Sequence, residues 1–269
     1  MKKTVVIFIC ALCAVFCLTS CSQTDAVTEY NDAVELVKRG EYDAALEKAT
    51  KCVRMNRNDG DAVKLQVLCA FNGMVEDTKT KEIAMQNLKR MLNTKLKDDY
   101  EAYYFMGWAL FQIDNNIVAF ENLKKANEMM PAEKKTLDNR TYANLLYMLG
   151  LCCVQNNLAE GREYLAQLEH VKPFSDLPEY YANYAMLSYQ LRRYGDANSW
   201  FYKAYKIDNL VPQPCLNIAV IYDVIYGNLD QAREYYIRAL RRYQIQHDSL
   251  YERRINDRLR ALVKLKKKK

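Results

Sequence analysis

The side chains best able to do covalent or metal chemistry are nine cysteines and two histidines. Cys10, Cys13 and Cys17 lie in an apolar N-terminal stretch and Cys21 closes it, which leaves five for the body. Thiols act as nucleophiles or ligands when they are ionised and grouped. Among the five body cysteines no Cys-x-x-Cys pair occurs, and neither His170 nor His247 has a cysteine or a carboxylate pair at zinc-ligand spacing. Cys152 and Cys153 are adjacent, and a bond between neighbours is strained. With Cys52 and Cys69 they fall on apolar helical faces, so buried thiols are the expectation. No phosphate-binding glycine loop, Gly-x-Ser-x-Gly elbow or His-Glu-x-x-His pair is present, and carboxylate neighbours such as Asp98 and Asp99 read as solvated faces. The expectation is a protein that is not an enzyme, with no catalytic residue, no cofactor and no metal.

The elements that carry these residues are helical. Half of the 269 residues are hydrophobic, while eight glycines and five prolines are too few for the many tight turns of a sheet protein. The formal charge of +6 comes from the two ends. Without Lys2, Lys3, Lys264, Lys266, Lys267, Lys268 and Lys269 the body is close to neutral, so no basic face is available for nucleic acid. The terminal lysines, Lys266 to Lys269 above all, suit at most a weak, salt-sensitive contact with anionic lipid; the plainer reading is a solvated end.

Lys2 and Lys3 precede an unbroken apolar run from Val5 to Leu18, the layout of a secretory signal and short for a membrane span. The run ends in Leu18-Thr19-Ser20-Cys21. This resembles a bacterial lipobox, which implies cleavage after residue 20, lipid attachment to Cys21, and a protein anchored in the cell envelope. The rival reading is an ordinary cleavage site with an incidental cysteine. Ser22, in place of an Asp after the lipidated Cys, implies by the same resemblance the outer membrane, facing the periplasm, rather than the inner one. Residues 21–25 are expected to form a short tether.

In the body, Tyr103, Gly107, Ala119, Leu123, Ala126 and Pro131 fall at the spacing of a helix-turn-helix repeat of about 34 residues. Small residues at Gly107, Ala119 and Ala126 let two helices approach, and Pro131 stops the second. The same spacing recurs through Tyr30, Ala33, Gly40, Ala45, Ala49 and Cys52, and through Tyr181, Ala185, Tyr194, Ala197, Phe201 and Ala204. It returns in looser form through Gly150, Gly161, Leu165, Leu168 and Pro173, and through Ala219, Tyr222, Gly227, Ala232, Tyr236 and Ala239. This pattern resembles the tetratricopeptide repeat (TPR). The implied fold is all-α, an α-solenoid of about six TPR units near 26–59, 61–98, 100–133, 143–174, 178–211 and 212–246. A capping helix with a Lys-rich tail follows at 247–269. In the second unit Leu68 stands where a small residue is expected and the turn is too long; the turn of the sixth is one residue long. On the cap, Tyr251, Ile255, Leu259 and Leu262 form one stripe, with Arg253, Arg254, Arg258 and Arg260 expected to face away.

The resemblance also implies a site. Proteins of this family bind peptides through fixed positions of the first helices, which fall here on Glu101, Tyr104, Trp108 and Gln112, on Asn144, Tyr147 and Leu151, on Asn183, Met186 and Gln190, and on Asn217 and Val220. Amides and aromatic rings suit peptide recognition, although aromatics at helical spacing also build cores. The Lys and Asn pattern of the chaperone-binding members is not matched, since Tyr104 and Trp108 occupy its places. The function so implied is a membrane-anchored adaptor that holds a protein or peptide partner and supports assembly of an envelope complex. In layout this is similar to the lipoproteins that serve type IV pilus secretins and barrel assembly. The alternatives are a lipoprotein that binds glycans or peptides for uptake, and a structural subunit that self-associates.

Overall fold

The structure, a computed structural model, describes residues 21–74 and 77–266. The leader at 1–20 and the side chain of Cys21 lie outside the described residues. All regular structure in the described residues is helical. The chain divides into two compact units, Met1–Met148 and Leu149–Lys269.

The first unit holds three helix pairs: α1 (Cys21–Lys38) with α2 (Tyr42–Met55), α3 (Gly60–Asn72) with α4 (Thr78–Leu92), and α5 (Tyr100–Gln112) with α6 (Asn116–Met129). A short 3-10 turn (Ala132–Lys134) leads to α7 (Arg140–Asn156), which carries the chain into the second unit. Each helix packs on the next, and the first helices also meet one another, α1 on α3 and α3 on α5. The repeat residues do what their sizes require. A Cβ at Gly107 would lie 2.6 Å from Leu123 Cγ and 3.0 Å from the Ala119 carbonyl oxygen, so only glycine lets α5 and α6 come this close. Ala119, Leu123 and Ala126 are fully buried, as are Ala45 and Ala49, with Cys52 filling the next place.

The turns explain the period. In most pairs one residue after the first helix adopts the left-handed conformation: Gly40, Asp114, Asn157, Arg192 and Gly227 all have φ between 57° and 79° or at its limits. The next amide then reaches back to a carbonyl inside the helix, as in Glu41 N to Leu36 O (2.9 Å), Asn115 N to Leu110 O (3.0 Å) and Arg193 N to Ser188 O (2.8 Å), the closing bond of a Schellman turn.

Two expectations about the first unit change. The residues read as a tether are already helical, because α1 begins at Cys21 rather than near Ala26. In the second pair Asp59 caps α3 by accepting two backbone amides, as Asp99 caps α5 in the third. Counting from these caps puts Val67, not Leu68, in the place of Gly107, and Val67 is fully buried while Leu68 is half-buried. The turn of the second pair is long, as its sequence suggests: α4 starts only at Thr78, after its cap Asp77.

The second unit contains α8 (Gly161–Ala166), α9 (Pro178–Gln190), α10 (Tyr194–Ile207), α11 (Pro212–Val220), α12 (Leu229–Ile245) and α13 (Ser249–Lys266). The fourth repeat keeps only a stub of its second helix. Leu165, Leu168 and Phe174 still fill the core, and tyrosines replace the lost backbone bonds: Tyr180 donates to Leu165 O at 2.5 Å, and the Tyr181 hydroxyl lies 3.3 Å from the carbonyls of Glu169 and Ser175. The sixth repeat absorbs its extra residue in a π-turn at Ile221–Ile225, after which Asn228 N reaches Tyr222 O across one more residue than in the other turns. The cap α13 buries Ile255 and Leu262, with Tyr251 and Leu259 beside them against Tyr236 and Tyr243. Arg258 does not face away: it turns inward onto Asp223 of the π-turn, because a carboxylate buried to 7 % exposure in a helical wall needs a cation.

Candidate recognition surfaces

In the first unit the polar centre of the first-helix face is Lys64 on α3. Its side chain is 9 % exposed, and its Nζ lies 3.0 Å from Asp61 Oδ1, 3.0 Å from Asp99 Oδ2 and 3.1 Å from Glu101 Oε2. Burial works against the ammonium, but the three carboxylates outweigh it and hold the Lys64 pKa above its ordinary value. Asp99 also caps α5, so one lysine ties α3 to the start of the next first helix. Glu101 is further held by the Tyr100 hydroxyl at 3.2 Å.

Beyond this network the face is apolar and closed. Trp108 is 8 % exposed and meets Phe71 of α3 edge to face at 5.8 Å. Tyr104 is 4 % exposed and packs edge to face on Phe105 at 5.7 Å. Gln112 and Tyr147 are half-buried. Asn144 is the exception in kind: the residue is 4 % exposed, and its amide Nδ2 has no hydrogen-bond partner among the described residues.

In the second unit Asn183 and Met186 are half-buried and Gln190 is exposed. Met186 packs on the cluster of Ala185, Ile218 and Ile221, and Asn217 accepts from Gln213 Nε2 at 3.1 Å. The aromatic cluster sits elsewhere. Trp200 of α10 stacks on Tyr184 at 4.6 Å and on Tyr181 at 5.9 Å, with Lys203 above Tyr181 and paired to Glu169 at 2.9 Å. All five body cysteines are buried, and none of them forms a disulfide among the described residues. Burial pushes Cys52 up to about 11 and Cys69 and Cys152 up to about 12.

No protein-family model and no curated protein sequence matches the chain. Solved structures do. A structure of Pseudomonas aeruginosa pilF is 15% identical with a TM-score of 0.60, covering 88% of this chain and 99% of its own. PilW, a widely conserved type IV pilus biogenesis factor, is 16% identical with a TM-score of 0.60 over 86% and 97%. YrrB, a TPR protein with an unusual peptide-binding site, is 18% identical with a TM-score of 0.59 over 78% and 97%. The fold is that of the TPR proteins.

Against the TPR frame, the positions expected to touch a partner separate by what they already do. Glu101 is spent on Lys64, and Tyr104 and Trp108 act mainly as core, so the largest rings offer little surface. Gln112, Tyr147, Asn183, Met186 and Gln190 keep accessible area, and Asn144 keeps an unspent donor. Lys64 was not among the expected positions, since the second repeat looked too irregular to register. Its signal was a lone lysine four residues after Gly60 in an otherwise apolar helix, one turn after Asp61. Among the described residues no three His, Cys, Asp or Glu side chains converge on a point that would hold a metal. No described helix is long and apolar enough to cross a membrane.

Proposed function

We propose that this TPR protein is an adaptor that takes a peptide segment of another protein on the first-helix face of its first unit, and that lipidated Cys21 holds it at the outer membrane of a bacterial envelope, facing the periplasm. The observation that carries the binding reading is Asn144. A buried amide donor without a partner costs about 1–3 kcal/mol, and a carbonyl supplied by a bound chain removes that cost. YrrB's peptide-binding site supports a protein partner, and PilW's part in type IV pilus biogenesis supports an envelope setting. A glycan receptor would present open aromatic faces; Trp108 is packed on Phe71 and Trp200 stacks on Tyr184 and Tyr181 of α9, which favours the adaptor.

The test is crosslinking and capture with the full chain, wild type against Asn144→Leu, followed by binding of peptides cut from the captured protein. The expected result is one envelope protein captured by wild type, with a peptide of it bound about tenfold more weakly by the variant, one good hydrogen bond's worth, while the free variant melts no lower. Equal binding by both chains overturns the site. For the anchor, Cys21→Ser is expected to lose lipid labelling and leave the membrane fraction; unchanged partitioning overturns it.

A further inference from the structure

A second groove lies in the first unit, on helices that the first-helix face does not use. It runs between α2 and α4 with a volume of about 900 Å3. The two helices lie side by side with their C-terminal ends together, because Arg90 of α4 donates to Asn58 Oδ1 at 3.3 Å and to the Arg57 carbonyl just past the end of α2.

The floor of the groove is built from amides. Gln66 of α3 is 4 % exposed; its Oε1 accepts from Asn87 Nδ2 of α4 at 3.0 Å, and its Nε2 donates to Thr50 Oγ1 of α2 at 3.1 Å. The chain crosses the groove from wall to wall and fixes three side chains. It also leaves the second Gln66 N–H, the Thr50 hydroxyl proton and the Asn87 carbonyl unspent among the described residues, two donors and one acceptor that an extended backbone can meet. Apolar wall comes from Leu46, Val53 and Ile83.

Charge gives the groove a direction. Arg54 and Arg57 stand at the shared C-terminal end and have no acidic partner among the described residues, while Glu47 stands toward the other end, also unpaired. Glu47 and Arg54 are separated by about 10 Å along α2, and Arg57 lies just past the end of that helix. An extended chain covers about 13 Å in four residues and returns its side chains to the same side at i and i+4.

We propose that this groove binds an extended peptide segment carrying a basic and an acidic residue four positions apart, with the acidic residue held by Arg54 and Arg57, the basic residue by Glu47, and the intervening backbone by the Gln66 chain. The site is separate from the first-helix face and stands or falls apart from it.

The test uses the full chain and a fluorescein-labelled seven-residue peptide with Lys at its second position and Glu at its sixth, compared with the same peptide with Lys at both positions and with an uncharged version. Anisotropy is expected to rank the mixed-charge peptide at least tenfold above both, with affinity falling as salt is raised. Arg54→Glu with Arg57→Glu, both on the exposed surface, is expected to abolish that preference and to favour a peptide with Lys at both positions. Asn144→Leu is expected to leave it unchanged, which separates this groove from the first-helix face. Equal affinity for all three peptides, an unchanged preference in the arginine variant, or tight binding of a sulfated polysaccharide with no peptide binding each overturns the proposal.

Discussion

Arg258 and Asp223 form a two-pronged ion pair, Nε to Oδ2 and Nη2 to Oδ1 both at 2.6 Å, between the last helix and the π-turn of the sixth repeat. The Tyr236 hydroxyl donates to the same carboxylate at 3.0 Å. The π-turn thus does two things. It absorbs the residue that makes the sixth turn too long, and it points a carboxylate at the cap.

Removing the arginine leaves Asp223, its side chain 1% exposed, with the tyrosine alone. Breaking a buried pair in this way costs about 3–5 kcal/mol; Arg258 is itself 41% exposed, which screens the pair, so about 2–3 kcal/mol is expected for Arg258→Ala. Urea unfolding followed by circular dichroism measures it. Arg258→Met with Asp223→Leu is expected to recover most of the loss, because the desolvation of both charges disappears with them.

Arg192 sits at φ 60° in the turn between α9 and α10. Glycine holds the matching place at Gly40 and Gly227, while Asp114 and Asn157 are residue types that tolerate it. A residue with a Cβ there costs about 1–2 kcal/mol in backbone strain. Arg192→Gly is therefore expected to raise stability by about 0.5–1 kcal/mol after the entropy of glycine in the unfolded chain is subtracted. A rise in the urea midpoint without a change in slope is the expected readout.

Helix pairing was legible in the sequence because it depends on size at fixed spacing, and Gly107, Leu123 and Ala119 show why: one methyl group too many would separate α5 from α6. What was not legible depends on contacts between segments far apart in the chain. Arg258 belongs to a run of arginines that looks like a solvated face until Asp223 is placed opposite it, 35 residues away. Trp108 has the spacing of a partner-binding residue, but Phe71 of the previous repeat decides its exposure. Lys64 was missed for the same reason, since its partners Asp99 and Glu101 lie in the next repeat. Asn144 was named for its place in the repeat alone; its unspent donor is visible only when its surroundings are known.

The buried thiols set the alkaline limit. Cys52, Cys69 and Cys152 titrate in the unfolded chain near the ordinary thiol value of 9.0 and in the folded protein at about 11, 12 and 12, with desolvation as the main cause. Folded values above unfolded ones mean that the unfolded chain gives up these protons first, so the stability they contribute is complete below pH 9 and is lost as pH rises toward 11–12. Melting temperatures are expected to hold level up to pH 8.5 and to fall steeply above pH 9.5. Cys69→Ala with Cys152→Ala is expected to flatten that fall while lowering stability at neutral pH through the cavities left behind.

Lys64 makes the last prediction, which separates electrostatics from packing. Lys64→Met keeps most of the stem volume but leaves Asp61, Asp99 and Glu101 facing one another without a cation. Asp99 must still cap α5 by accepting from Glu101 N at 2.8 Å, so it stays near the other two carboxylates. A loss of about 2–3 kcal/mol is expected at neutral pH and low salt, less than for a fully buried pair because Glu101 is 37% exposed. The sign of the salt effect is the sharper test. Wild type, held by attraction, is expected to lose a little stability between 50 and 500 mM salt, whereas the methionine variant, strained by repulsion, is expected to gain. If both respond alike, Lys64 acts through its packed stem alone, and the network does not tie α3 to α5.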